Sequence, residues 1–119
     1  MPTRQQTFDT VVNALRKQGC RSIKNERCFY RGEAGLKCAV GHLIPDEKYS
    51  PDMEGLTIYK SASNSLSRVG EVIKQEGHDL ILCDRLQSTH DSYEVDGWER
   101  DFRKVAKRFG LVYSEPQDA

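Results

Sequence analysis

The cysteines and histidines of this chain are the side chains best suited to metal binding or nucleophilic chemistry. Three of them, Cys28, Cys38 and His42, lie close together in the first half of the sequence. Thiolate and imidazole groups ligate zinc, and they also form the nucleophile and base of cysteine enzymes. This short segment is therefore where we expect a site.

A zinc site in this segment would need four ligands, because structural zinc is tetrahedral. The available set is Cys28, Cys38 and His42, completed by Cys20, Cys83 or His90. The spacing C-x9-C-x3-H lacks the closely paired ligands of common zinc sites. We therefore predict that the cysteines are free thiols with no metal bound, and that the protein uses no cofactor.

Cys38 could act as a nucleophile if it opened a short helix, because the helix dipole stabilises a thiolate there. Lys37 is adjacent, and His42 one turn later would be the base, with His90 and Asp91 as an alternative base. The apolar neighbours of Cys38 predict burial, which raises the pKa of a thiol. No catalytic residue is therefore assigned, and a Cys38-dependent enzyme is the weakest of three functional hypotheses.

Gln87, His90 and Asp91 share one end of a predicted amphipathic helix. A histidine on an apolar helical face is usually a core residue bonded to the backbone. The three polar side chains are nevertheless candidates for contact with a ligand or partner.

Tyr30, Arg31 and Lys37 form a second candidate binding set. We predict a small β-hairpin with arms at 28–31 and 36–37 around the turn 32–35, in which Gly35 takes a positive φ. Arg31 and Lys37 would then present two cations beside the Tyr30 ring. Such a group suits a phosphate, a nucleobase or an acidic partner surface.

Hydrophobic periodicity predicts a mainly α, single compact domain over all 119 residues, with 114–119 as a frayed tail. Shorter helical turns and the hairpin connect four main helices. The first helix is predicted from a cap at Thr7 to Gly19, and the second from a cap at Ser61, Ser63 or Asn64 to Gly77. The third is predicted from Asp79 to Ser92, and the fourth from a cap at Asp96 to Gly110. Trp98, Phe102, Val105 and Phe109 should enter the core, and Gly41 indicates close backbone approach.

Charge and hydropathy argue against nucleic acid and membrane as partners. Lys and Arg number 18 and Asp and Glu number 18, so no net field draws the chain to nucleic acid. No apolar run reaches the length of about 18 residues that a membrane span requires. The first residues lack the apolar core of a signal peptide. These features predict a cytoplasmic protein with reduced thiols.

Several motifs carry a resemblance to other sequences. They are Cys28-x-Tyr30-Arg31-Gly32, the run 35–41, Leu43-Ile44-Pro45-Asp46, Met53-Glu54-Gly55, Leu86-Gln87-x-x-His90-Asp91 and the segment 98–111. The chain resembles a set of short uncharacterised proteins from bacteria and their tailed phages. That resemblance implies a phage or mobile-element setting, in which small neutral proteins often bind a host component.

The predicted function is therefore stoichiometric binding of a host protein or complex in the host cytoplasm, as an inhibitor or modulator, for example of host defence. The alternative is a small-ligand protein that sequesters a nucleotide with Tyr30, Arg31, Lys37 and His90. The sequence leaves the oligomeric state open.

Overall fold

A computed structural model describes residues 2–24, 27–60 and 65–116. Its elements are α1 (Arg4–Gln18), β1 (Ile23–Lys24), β2 (Arg27–Cys28), α2 (Arg68–Gln75), α3 (Leu80–Ser92) and α4 (Val95–Phe109). Short 3-10 turns at Glu33–Gly35, Val40–Leu43, Asp46–Lys48 and Pro51–Met53 lie between β2 and α2. Within these described ranges, the prediction of four main helices, shorter helical turns and one hairpin is confirmed.

Helix α1 begins earlier than its hydrophobic pattern predicts. Thr3 is the N-cap, and its hydroxyl accepts from the Gln6 amide while the Gln6 side chain accepts from the Thr3 amide. This reciprocal capping box satisfies two amides that would otherwise lack partners. Thr7, the predicted cap, is instead buried inside the helix. Gly19 ends α1 as predicted, with a left-handed φ of 72°.

The hairpin lies earlier in the chain than predicted, with strands at 23–24 and 27–28 instead of 28–31 and 36–37. Its antiparallel strands pair Ile23 with Cys28. Residues 28–31 and 36–37 do not form paired arms, because Glu54 takes the backbone amides of Tyr30 and Arg31 at 2.8 and 3.1 Å. The stretch 32–35 is a turn, and Gly35 has the predicted positive φ, 76°.

The starts of the later helices depend on their caps. Ser67 caps α2 through the Gly70 amide; the predicted caps Ser61, Ser63 and Asn64 lie outside the described residues. Asp79, the predicted start of α3, is its N-cap and accepts from the Leu82 amide at 2.9 Å. The N-cap of α4 is Glu94 rather than the predicted Asp96, and the helix ends at the predicted Gly110.

The core forms where α1, α3 and α4 meet the segment 38–44. Trp98, Phe102 and Val105 of α4 are buried as predicted, and Phe109 packs partly buried against them. Tyr93 continues the apolar spacing of α3 from Leu86 and His90 but is 42% exposed. The reason is that α3 ends at Ser92, so Tyr93 has extended backbone and leaves the helical face.

A partly buried ion pair joins α3 to α4. Asp101, which is 2% exposed, accepts two hydrogen bonds of 2.8 Å from the Arg85 guanidinium and one from the Thr89 hydroxyl. The segment after α4 is also attached, because Arg16 donates to the Ser114 carbonyl and Arg103 pairs with Glu115. No described helix has the length and apolar character needed to cross a membrane.

Candidate functional site

A cavity of about 450 Å³ opens beside the second half of α3. We call it the α3 cavity. Its lining residues come from four separate stretches: Cys28, Tyr30, Cys38, Gly55, Leu56, Thr57, Ile58, Asp84, Gln87, Ser88, Asp91 and Ser92. Four of the motifs that carry the sequence resemblance contribute to it, since 28–32, 35–41, 53–55 and 86–91 each supply at least one lining residue. The volume lies within the range typical of ligand pockets.

Gln87 connects α3 to the segment that follows the hairpin. Its side-chain oxygen accepts from the Val40 amide at 2.8 Å, and its side-chain nitrogen donates to Asp91 at 2.8 Å. The two α3 residues are four apart and therefore adjacent on one helical face. Gln87 thus fixes the turn at Val40 to α3.

His90 is fully buried and has a defined tautomer. Its Nε2 accepts from the Ser22 amide at 2.9 Å, so the ring proton lies on Nδ1, which is 2.7 Å from Asp91 Oδ1. Nδ1 therefore donates to the carboxylate. His90 is the buried, backbone-bonded core histidine that the sequence pattern favours, and its backbone partner is the Ser22 amide.

Asp91 is the centre of this polar network. Burial opposes its ionisation, but hydrogen bonds from His90, Cys28 and Gln87 outweigh burial and lower the pKa of Asp91. The carboxylate is consequently ionised at neutral pH. Gln87 and Asp91 of the predicted binding set line the cavity. His90, the third member, is buried in the core and donates a hydrogen bond to Asp91.

The cysteine thiols of the cavity are poor nucleophiles. Burial and the hydrogen bond to Asp91 raise the pKa of Cys28 to about 12. Cys38 is 1% exposed, and burial raises its pKa further. Thiols in this state stay protonated at neutral pH, whereas catalysis requires the thiolate.

Cys38 and His42 do not form the nucleophile and base considered from the sequence. Residues 40–43 form a 3-10 turn, so Cys38 does not open an α-helix whose dipole would stabilise its thiolate. His42 Nε2 is buried and has no hydrogen-bond partner among the described residues. Burial lowers the pKa of His42 to about 4, with Lys37, His90 and Arg31 adding to the effect.

One group of potential metal ligands occurs in the described ranges, and it differs from the ligand set considered from the sequence because it includes Asp91. Ligand atoms of Cys28, His90 and Asp91 lie within 4.8 Å of one another. A metal on Nδ1 would move the ring proton to Nε2, where it would face the Ser22 N–H. A metal-bound histidine normally donates its second N–H to an acceptor. The hydrogen bonds of His90 therefore oppose a metal at this position.

The residues of the second predicted binding set do not share one face. Tyr30 is buried, and its hydroxyl donates to the Leu56 carbonyl. Arg31 donates to the Ile44 carbonyl at 2.8 Å, pairs with Asp46 at 2.7 Å and lies 4.8 Å from the Tyr49 ring centre. The Lys37 backbone exchanges two hydrogen bonds with the Gln18 side chain. Tyr30 and Arg31 are thus held by the fold itself.

Leu56, Asp84, Ser88 and Ser92 line the cavity but were not selected from the sequence. The sequence did contain a signal for three of them, because Asp84, Ser88 and Ser92 are spaced i, i+4 and i+8 along one polar face of α3. Leu56 carried no signal, since nothing local shows that its loop meets α3.

Comparisons with protein-family models, with curated proteins and with solved structures found no match. The case for a function therefore rests on the chemistry of the site.

Acidification from pH 6.5 to pH 4.5 is expected to lower the free energy of unfolding, in part through His42. Its folded-state pKa of about 4 lies below the ordinary 6.5. In this range the unfolded chain takes up a proton that the folded chain refuses, so stability is complete above pH 6.5 and falls with pH. Because His42 is only half-buried, we expect a loss of about 1–2 kcal/mol, less than the pKa difference alone would give.

Urea unfolding of the parent and of His42→Leu across this pH range measures the effect. The parent should lose more stability than His42→Leu as the pH falls, since the variant has no proton to take up at this position. His78→Gln is the control: burial also lowers the pKa of His78, but removing it should leave the His42 contribution in place. Parallel curves for the parent and His42→Leu would contradict the assignment.

Proposed function

We propose that this chain is a stoichiometric binding protein for a host protein or protein complex, which it inhibits or modulates in the host cytoplasm. The observation that carries the proposal is the distribution of exposed apolar residues. Of the five large ones in the described ranges, Leu56 lines the α3 cavity, and Ile81, Tyr93 and Val95 lie within three residues of a lining residue. Val112 is the exception. Exposed apolar residues near a cavity are typical of protein-binding surfaces.

The chemistry of the cavity supports binding rather than catalysis. Cys28 and Cys38 carry protonated thiols, and the Cys28 thiol donates to a carboxylate instead of to a histidine base. The Asp91 carboxylate already accepts hydrogen bonds from side chains of this protein. A Cys38-dependent enzyme is therefore the least supported of the three hypotheses.

A nucleotide-sequestering protein remains the second candidate, and one observation favours it. A second cavity of about 400 Å³ beside the hairpin is lined by Phe29, Lys24 and Arg31, which could stack on a base and contact phosphate. However, Lys24 pairs with Glu33 at 2.6 Å and Arg31 pairs with Asp46 at 2.7 Å. A phosphate would have to compete with both carboxylates, so we place this function second.

Capture of host proteins by three forms of the chain tests the proposal. Ser88→Arg places a long charged side chain in the α3 cavity from an exposed helical position, and Thr10→Arg makes the same change on exposed α1 outside every cavity described here. We expect the parent and Thr10→Arg to retain one host protein at a near-equimolar ratio and Ser88→Arg to lose it. Equal retention by all three forms, or no retention above background, would argue against the proposal.

Melting with nucleotides separates the second candidate from the first. A ligand that binds only the native state raises the melting temperature by mass action. A concentration-dependent rise with a nucleotide, reduced in Arg31→Gln, would favour nucleotide sequestration. Under the protein-binding proposal, nucleotides leave the melting temperature unchanged.

A further inference from the structure

The charged side chains that line the α3 cavity are both carboxylates. They belong to Asp84 and Asp91, and none of the described lysines or arginines is among the lining residues. Asp91 is already engaged by donors from within the chain. Asp84 is exposed on α3 and makes no ion pair or hydrogen bond with any described residue. Its full acceptor capacity is therefore available to a partner.

Apolar groups lie beside this carboxylate. Leu56 is 37% exposed on the loop side of the cavity, and Ile81 is 60% exposed on α3, one turn before Asp84. The Ser88 and Ser92 hydroxyls continue the same helical face toward Tyr93. A partner residue that enters here would have an apolar stem against Leu56 and a charged end near Asp84. Arginine and lysine side chains have that construction.

We propose that the α3 cavity receives an arginine or lysine side chain from the bound protein, paired with Asp84, while apolar residues flanking that side chain cover Leu56 and Ile81. The inference rests on the proposed binding function and names the chemistry of the partner. Arginine fits better than lysine because its planar guanidinium can form two parallel bonds to one carboxylate. Anionic ligands are disfavoured, because both charged lining groups would repel them.

Arg27 does not line the cavity, but its side chain lies close to Gly55, which does. The Arg27 guanidinium comes within 3.8 Å of the position that a side-chain carbon on Gly55 would occupy. A second basic residue of the partner is unfavourable there, whereas a neutral or acidic residue is not. The preferred partner segment therefore has its basic residue near α3 and none near Gly55.

Selection from a library of random peptides on the full-length chain tests this chemistry directly. We expect enriched peptides to carry an arginine or lysine flanked by apolar residues. Enriched peptides are then synthesised, and their affinities are measured for the parent, for Asp84→Asn and for the matched control Asp9→Asn, an exposed carboxylate on α1. Asp84→Asn should weaken binding about tenfold or more, as expected for loss of a charge-assisted hydrogen bond. Asp9→Asn should bind like the parent.

Three outcomes overturn the inference: peptides enriched without a basic residue, no enrichment at all, or equal affinity for the parent and Asp84→Asn. A neutral citrulline in place of the peptide arginine should reproduce the loss seen with Asp84→Asn, and should cost nothing further in that variant. If Asp84→Asn retains a host protein that Ser88→Arg loses, the partner chemistry is wrong while the binding function stands. If the parent retains no host protein, the binding function itself fails.

Discussion

Phe102→Ala is expected to reduce the free energy of unfolding by about 3–5 kcal/mol. The Phe102 side chain is fully buried, and its ring centre lies 6.4 Å from that of Trp98. Truncation removes the apolar contacts of the ring and leaves a cavity that close-packed neighbours fill only in part. Domains of this size are stable by about 5–15 kcal/mol, so the variant should be partly unfolded or close to it.

Thermal and urea unfolding of the parent, of Phe102→Ala and of Lys104→Ala measure this loss. Lys104 is an exposed residue of the same helix, and its truncation should change stability by about 0.5 kcal/mol or less. A Phe102→Ala variant that melts with the parent would mean that α4 does not contribute its aromatic face to the core.

The helices could be read from the sequence because their signals are local. The apolar spacing of α1 and α4, the Asp79 cap and the glycines at positions 19 and 110 all act within a few residues along the chain. The start of α1 is also local, since a Thr followed three residues later by Gln is a capping box. It was missed because the apolar pattern begins only at Phe8.

The hairpin and the cavity could not be read in the same way, because distant residues decide them. Glu54 takes the amides of Tyr30 and Arg31 from more than twenty residues away, and so prevents the predicted pairing with 36–37. The cavity requires the 55–58 loop to meet α3, which no pattern within either segment indicates. Their place beside His90 on a predicted helix identified Gln87 and Asp91 as candidates, but only the fold shows that they share a site with Cys28 and Cys38.

The network around Asp91 has a structural role as well as a place in the cavity. Through His90 it holds the Ser22 amide, and through Gln87 it holds the Val40 amide. Two loops that precede and follow the hairpin are thereby fixed to one end of α3. A partner that contacts this face would meet a surface already ordered, which reduces the entropy lost on binding.

Gly41→Ala should destabilise the protein by about 3 kcal/mol or more, at the upper end of the cost of overpacking. A side-chain carbon on Gly41 would lie 2.3 Å from the Tyr30 carbonyl oxygen and 3.1 Å from its carbonyl carbon. The close backbone approach predicted from the sequence is thus confirmed. Relief would require movement of Tyr30, whose amide is bonded to Glu54 and whose hydroxyl is bonded to Leu56.

Gly97→Ala provides the matched control for this substitution. Gly97 lies in α4 without a positive φ, and its added carbon would meet the nearest atom, Tyr93 Cβ, at 3.4 Å. There the higher helix propensity of alanine should leave stability unchanged or raise it by about 0.5–1 kcal/mol. Urea unfolding of both variants separates the steric effect at Gly41 from the general effect of replacing glycine.

The Gly41 substitution should also affect the α3 cavity, because Tyr30 forms part of its lining. Movement of Tyr30 away from Gly41 would disturb its bond to Leu56 and change the shape of the rim. Gly41→Ala should therefore weaken peptide binding under conditions in which the variant is still folded, whereas Gly97→Ala should not. A Gly41→Ala protein as stable as the parent would show that Tyr30 is free to move, and its support by Glu54 and Leu56 would then be weak.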